Sequence, residues 1–529
     1  MNRALHALFW FAAVSLVLLL AALNVTLGPL NQDEGVYLHA GSLLWEGRLP
    51  FVHHAFTQGP VTALAYALAS PLVSAQGVLG GRIFAALMGL GALFFTARIA
   101  ARLSPRGVRG VAAFAALLLA GASAHESYFL SIAKTYAPAA CLAMAGIWCW
   151  LRAMNSPDPR PAAIAGLLLA LAAGTRLSLG VWLPVAGLAL VLRRREQGNA
   201  PWLAFGLAGA VTLAIVYLPF LLFAGSSLKF GLLDYHAARH GGEGLGALAF
   251  KAGFISRTAR VWLPALTLLA VCGALAQALR GRLDAPSSTG PRGTLWTMAG
   301  LITLTHLLTP FPYDDYQVVV FPLVAALAGS ALARLLHRLT LSDEARAGLT
   351  AWISAVLLLI CGVGAFSSEV NQDWMLSGRD RIWWVLKKKP DVFALRDAAR
   401  TAREMAGDSP EILTQDAYLA VEARLRLPPG LELGPFAFCA DFDDEKAARL
   451  HVVNRAGLRR LIETSPARVA AASGYSFTIR SPDITPLEPA TVDELRAALE
   501  ARTVRMESIP RFGQGATTLE LRELKTFSP

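Results

Sequence analysis

The sequence predicts a polytopic α-helical membrane protein of about eleven transmembrane helices, followed by a C-terminal soluble α/β domain. Three observations predict it. Of the 529 residues, 55% are hydrophobic and only 16% are charged, and the mean hydropathy is +0.47, beyond what a large soluble core produces. Apolar runs of about the 20 residues that cross a bilayer recur through residues 1–367. The charge is also unevenly divided. Residues 1–367 hold 25 Lys/Arg against 13 Asp/Glu, whereas residues 368–529 hold 23 against 24. The formal net charge of +11 therefore belongs to the membrane part. There it reflects loop orientation rather than affinity for nucleic acid.

The apolar runs fall near 5–27, 80–101, 110–124, 128–151, 161–174, 177–192, 201–224, 260–279, 294–310, 317–336 and 348–367. The stretch 58–75 is apolar too, but Pro60 and Pro71 bracket it, so it reads as an interfacial or re-entrant helix. The connections at Arg98–Arg109, Arg152–Arg160, Arg193–Arg195, Arg280–Arg292 and Arg334–Arg346 are basic and alternate correctly. With Arg3 they place 16 Lys/Arg on one side against 9 on the other. The positive-inside rule makes that side cytoplasmic, with the N-terminus, in a cytoplasmic (inner) membrane. The first span lacks a clean small-residue cleavage site, and removing it would break the alternation, so it is kept as a helix rather than a signal peptide.

The outer connections then include two long loops, 28–79 and 225–259, and the whole of 368–529. In that tail, helical periodicity occurs near 391–406, 444–464 and 490–502. Strand-like runs occur at Glu411–Thr414, Arg468–Ala472 and Ser476–Arg480, and a hairpin is expected to pair 503–509 with 517–523 across Gly513 and Gly515. Trp374–Lys389 reads as an amphipathic belt at the outer surface. Four cysteines (Cys141, Cys149, Cys272, Cys361) lie in apolar segments and Cys439 lies in the tail. That pattern is neither a disulfide framework nor a zinc spacing.

The candidate chemistry gathers on the outer side. Asp33-Glu34 follows the first span, where carboxylates are costly. The pair reads as a general base that takes a proton from an acceptor hydroxyl; the alternative is an N-cap for the helical run 36–46. His53 and His54, with Gln58-Gly59-Pro60, are candidates for metal or phosphate contact. Two adjacent histidines without spaced partners are not a metal signature, and the alternative is a solvated loop. Lys134 lies in an apolar run that reads as helix, and Arg176 lies in a tight connection. Both read as cations for a lipid-linked phosphate, with Glu126 as the alternative, structural partner of Lys134. Arg257 and Arg260 open a later span; Arg257 is a further candidate for the lipid-linked phosphate, and snorkelling accounts for Arg260. Tyr313-Asp314-Asp315-Tyr316 is either a phosphate- or sugar-contacting turn or a plain aromatic belt. The loop 225–259, with Asp234, Tyr235, His236, Arg239 and His240 before Gly241-Gly242, reads as a lid or as an ordinary surface loop.

The pattern Asp33-Glu34-x-x-Tyr37, then Ala40, Gly47-Arg48-Leu49-Pro50-Phe51 and Gly59-Pro60 resembles the first outer loop of the GT-C superfamily of membrane glycosyltransferases. The resemblance is to the family 39 group, which includes protein O-mannosyltransferases and the aminoarabinose transferase of lipid A. Thr175-Arg176 and Tyr313–Pro322 resemble the group more loosely. The resemblance implies an inverting enzyme that moves a sugar from a polyprenyl-phosphate donor to an envelope acceptor (lipid, glycan or protein) outside the cytoplasmic membrane. It implies Asp33 as catalytic carboxylate, Glu34 assisting, Arg176 and the tyrosines Tyr313 and Tyr316 on the donor phosphate, and Tyr37, His53, His54 and Gln58 supporting the first loop. Many relatives carry a Lys before the first-loop proline, where Gln58-Gly59-Pro60 stands here, and Lys134 is the candidate to compensate. No cofactor is assigned, and dependence on a divalent metal stays open. The rival readings are a transporter or flippase of envelope lipids and a non-catalytic envelope scaffold. Clustering of ionisable residues at the two faces rather than the midplane counts against transport.

Overall fold

The computed structural model describes residues 3–239, 242, 244–279, 290–339, 341–366 and 389–525. The expected amphipathic belt at 374–389, all but its last residue, lies outside the described residues, as do the expected boundary at 367/368, His240, Gly241 and most of the Arg280–Arg292 connection.

A helix occupies each expected span, but the spans are unequal. Among the described residues, four helices are long and apolar enough to cross a membrane: Ala4–Leu27, Val78–Arg102, Ala200–Ala237 and Asp343–Phe366. A fifth is added if Gly244–Val261 and Leu263–Ala278, bent by 74°, count as one span. The expected segments thus each contain helix, and those expected to be short, near 110–124 and 161–174, are among the shorter ones. Arg109–Gly121 has only 13 residues, and the run 177–192 divides into a 3-10 turn, Leu177–Val181, and a short helix, Trp182–Leu192. Arg109–Gly121 lies largely inside the bundle, where a helix covered by its neighbours need not match the lipid thickness.

The first part of the chain runs through α1 (Arg3–Leu27), α2 (Gln32–Trp45), α3 (Pro60–Gln76), α4 (Val78–Arg102), α5 (Arg109–Gly121), α6 (Ala124–Phe129), α7 (Tyr136–Ala153) and α8 (Pro159–Thr175). The expected helix 128–151 is broken, because Leu130–Thr135 lies between α6 and α7 in turns. Lys134 therefore stands outside any helix. The backbone groups freed by the break find remote partners: Ala133 N–H donates to Glu34 Oε2 at 3.2 Å, and Tyr66 donates its hydroxyl to the Lys134 carbonyl. The break coincides with the polar residues Ser131, Lys134 and Thr135 inside an otherwise apolar run.

The described part of the loop 225–259 is mostly helical rather than plain loop. Ala200–Lys229 continues through a π-turn, Phe230–Asp234, into Tyr235–Ala237, and Gly244–Val261 follows. It packs on the C-terminal region, with Ser227 Oγ donating to the Arg449 carbonyl at 3.1 Å.

The C-terminal region is built on a four-stranded sheet of β1 (Ile412–Thr414), β2 (Val469–Ala472), β5 (Thr503–Phe512) and β6 (Thr517–Leu524), in the order β1-β2-β6-β5. The β1/β2 pair is parallel and the other two pairs are antiparallel. The expected hairpin is β5/β6. The expected strand Ser476–Arg480 shrinks to β3 (Ile479–Arg480), paired with β4 (Thr485–Pro486). The expected helix 444–464 divides into Asp444–Arg449 and Arg455–Thr464, with Asn454 capping the second through Gly457 N–H at 2.7 Å.

This region shares one hydrophobic core with the loop 28–79. Val36, Tyr37 and Tyr66 belong to the same buried cluster as Leu395, Tyr418 and Leu519. At the seam, a Cβ on Gly35 would lie 2.0 Å from the Tyr418 backbone nitrogen, so only glycine lets α2 meet the helix Ala417–Ala423 this closely.

Candidate active site

The approach to the site begins with a helix cap. Asn31 caps α2 by accepting the Asp33 N–H at 3.1 Å, and Glu34 closes the capping box by accepting the Asn31 N–H at 3.0 Å. Capping therefore falls to Asn31, not to Asp33 as the alternative sequence reading had it. Asp33 is left to point outward. Gln32 is held from the C-terminal region: its amide donates to Asp416 at 2.9 Å, and its backbone N–H donates to Gln514 at 2.9 Å.

Glu34 is fully buried and does not reach the cavity. Arg82 grips it bidentately, at 2.8 and 2.6 Å, and also donates to the carbonyls of Gly28 and Pro29 at 2.9 and 2.7 Å. Glu34 thus joins α2, α4, the end of α1 and the 130–135 break.

Asp33 faces a cavity of about 160 Å³ whose wall also includes Tyr37, Gln58, Lys134, Arg176, Tyr313 and Tyr316. Residues far apart in sequence are brought together here, joined by Asn31, Tyr136, Tyr235, His236, Arg239 and Asp315. Lys134 lies between two carboxylates, 3.0 Å from Asp33 Oδ2 and 2.9 Å from Asp315 Oδ2. Its charge is already matched, so its geometry orients Asp33 rather than waiting for a phosphate. Glu126, the alternative partner, forms no ion pair with Lys134 among the described residues; its nearest basic neighbour is His125 at 3.8 Å, and both of its carboxyl oxygens are buried without a hydrogen bond.

The guanidinium groups are placed differently. Arg176 lies 4.5 Å from the ring centre of Tyr136 and 5.1 Å from that of Tyr316. Arg239 lies 5.4 Å from Tyr235 and 5.6 Å from Tyr313. Arg176 donates to Thr135 Oγ1 at 2.7 Å, and its Nε, like that of Arg239, is buried without a hydrogen bond. Among the described residues neither forms an ion pair. Cations over aromatic faces, with donor capacity in reserve, are arranged to receive an anion.

A second cavity, of about 370 Å³, adjoins the first and shares Gln58, Arg176, His236, Arg239 and Tyr316 with it. Its own wall is largely apolar, including Leu177, Leu232, Leu233 and Phe311. The two arginines therefore stand where a carboxylate-bearing chamber meets an apolar one.

Three expected site residues lie elsewhere. Arg257 does not line either cavity; its Nε donates to Asp314 at 2.7 Å. His53 Nδ1 accepts the Leu49 N–H at 2.8 Å. His54 is buried, and loss of solvation holds its imidazole down at about 4, so it is neutral and turned toward the Ala55 carbonyl rather than toward a phosphate. Among the described residues, no group of three or more His, Cys, Asp or Glu side chains is placed to hold a metal ion. Arg239 and Asp315 complete the site; sequence reading named both within their loops without giving either a role. Arg82 went unremarked, although an arginine after Gly80-Gly81 near the start of an apolar span is the kind of charge that needs a partner.

The whole chain superposes on a solved membrane enzyme. It matches apo ArnT from Cupriavidus metallidurans with a TM-score of 0.59 at 18% identity, over 97% of this chain and 98% of that one. It matches the same protein bound to undecaprenyl phosphate with a TM-score of 0.57 at 17% identity, over 100% of both chains. The fold is that of a GT-C membrane glycosyltransferase. No family model matches the chain, and no curated protein matches it. The GT-C fold accounts for the layout of a polytopic helical bundle topped by a soluble domain containing sheet.

Proposed function

We propose that this protein is an integral membrane glycosyltransferase that moves a sugar from a polyprenyl-phosphate donor to an envelope acceptor. Transfer takes place on the side of the membrane that carries the C-terminal domain, the outer face of the cytoplasmic membrane. The observation that carries this reading is the position of Arg176 and Arg239 at the junction of two cavities. A phosphate at that junction sends its sugar toward Asp33 and its lipid tail along Leu232 and Leu233. The undecaprenyl phosphate bound by the structurally similar ArnT is of the same chemical class.

In this scheme Asp33 removes the proton of the acceptor hydroxyl as its oxygen attacks the anomeric carbon. The bond from that carbon to the phosphate oxygen breaks on the opposite face, and polyprenyl phosphate leaves with the electron pair. The configuration inverts. Arg176 and Arg239 stabilise the charge that grows on the leaving phosphate. Lys134, shared with Asp315, fixes the direction of Asp33. Glu34 acts at one remove, holding α2 and the 130–135 break against Arg82.

The test is release of polyprenyl phosphate by purified protein in lipid, with a panel of polyprenyl-phosphate sugars and envelope acceptors. Asp33→Asn is expected to lower turnover by about two to four orders of magnitude, the usual contribution of a general base, while the protein stays folded. Turnover that survives unchanged in Asp33→Asn removes Asp33 from the chemistry. Silence of the folded wild type across a broad panel turns the reading toward transport or scaffolding.

A further inference from the structure

A second polar cleft, of about 440 Å³, lies at the other end of α3 from the candidate active site. Four arginines line it: Arg396, Arg400 and Arg403 from the helix Asp391–Ala406, and Arg424 from the turn after Ala417–Ala423. The acidic side chains beside it are Glu422 and Asp397, and both are engaged. Glu422 accepts the Val78 N–H at the start of α4 at 2.7 Å and pairs with Arg396 at 3.1 Å. Asp397 pairs with Arg400 at 2.6 Å and with Lys389. The cleft thus keeps a cationic surplus, and the helix-start position that would attract an anion is already filled by Glu422. Among the described residues, Arg403 reaches only the Arg424 carbonyl, at 3.4 Å.

The course of α3 shows what this surplus faces. Gly59, at its start, packs on the end of α8, where a Cβ would lie 2.0 Å from the Gly174 carbonyl oxygen. Its last residue, Gln76, lines the arginine cleft. Both ends therefore sit on the side of the C-terminal domain, and α3 lies across that face, spanning about 25 Å at 1.5 Å per residue. Leu64, Leu68 and Leu72 are exposed by 49, 66 and 40%. With Gln76 they form one line at intervals of four residues. An exposed apolar stripe thus runs into a pocket of guanidinium groups. A dissolved anion has no use for the stripe; a phospholipid uses both, with its chains on the leucines and its phosphate among the planar forks that match phosphate geometry.

We propose that this cleft binds the net-anionic phosphate headgroup of an acidic phospholipid in the leaflet beside the C-terminal domain, at a site separate from the one that takes the donor. Such a lipid ties the edge of the C-terminal domain to the membrane at the outer turn between α3 and α4.

The experiment measures binding of short-chain phosphatidic acid to the detergent-purified full chain by native mass spectrometry, with phosphatidylcholine and inorganic phosphate as comparison probes. Arg400→Ala/Arg403→Ala/Arg424→Gly removes three cations and spares Arg396, which bonds Glu422 and the Gln76 carbonyl. Arg424 has φ of 55°, a conformation that favours glycine, so that change suits the backbone. Phosphatidic acid affinity is expected to fall about tenfold or more, since each charge-assisted hydrogen bond lost corresponds to about one factor of ten. Thermal stability measured in parallel confirms that the variant is folded; should the triple variant fail to fold, Arg424→Gly alone is expected to show a smaller loss in the same direction. Unchanged affinity in the folded variants overturns the proposal. So does equal binding of phosphatidylcholine, or inorganic phosphate competing as strongly as the lipid.

Discussion

Arg82 and Arg176 are both buried arginines on the same side of the protein, yet they are opposites. Arg82 is saturated: two oxygens of Glu34 and two main-chain carbonyls take its donors. Arg176 makes one hydrogen bond to a hydroxyl and otherwise faces aromatic rings. A buried charge whose partners are all internal serves the fold, whereas one left with donors in reserve is free to meet a ligand, the role proposed for Arg176. The same distinction separates Lys134, shared by two aspartates, from Arg239, which stands over two tyrosines.

The sharpest way to break this comparison is to remove each arginine in turn. Arg82→Ala leaves Glu34 as an uncompensated buried charge, a loss of about 3–5 kcal/mol. The expected outcome is a large drop in thermal midpoint and in yield of folded protein in detergent. A stable Arg82→Ala protein would erase the difference between the two sites. Arg176→Ala is expected to leave the midpoint nearly unchanged and to raise the donor KM about ten- to a hundredfold, the worth of one charge-assisted phosphate contact. Steady-state kinetics beside a melting curve separates the two outcomes, and a fall in stability with unchanged KM would place Arg176 with Arg82.

Glu432 sharpens the comparison from a third position. It lies in the C-terminal domain with Arg48 only at 3.8 Å, and burial pushes its carboxyl up to about 7. Here desolvation outweighs pairing. Between about 4.5 and about 7 the folded protein keeps a proton that the unfolded chain has lost. Stability from this group is therefore full at the acid end and declines as pH rises through that window. The slope of thermal midpoint against pH is expected to flatten in Glu432→Gln; an equal slope in the variant would assign it to other groups.

These contrasts were unevenly legible in the sequence. Asp33, Arg176 and the Tyr313–Tyr316 turn stood out because charge and tyrosine at the edge of apolar runs need a reason. The β5/β6 hairpin was legible from alternation and glycines. The break at 130–135 was not, because Ser131, Lys134 and Thr135 are short interruptions of a long apolar run and the partners of its backbone, Glu34 and Tyr66, lie far away in sequence. The separate work of Asp33 and Glu34 was hidden for a similar reason. Adjacent residues on a helix point about 100° apart, so one meets the cavity and the other meets Arg82, a residue 48 positions on. Helix Ala417–Ala423 was missed because seven residues carry too little periodicity to register.

The contacts of Gln32 bear on when the protein becomes active. The residue just before Asp33 is tethered to Asp416 and Gln514, so the loop 28–79 is constrained by partners 384 and 482 positions further along the chain. A nascent chain halted after its membrane helices carries every proposed catalytic side chain and lacks the brace that aims them. Activity is then expected only in chains that extend past Gln514, which chains truncated at increasing lengths would reveal.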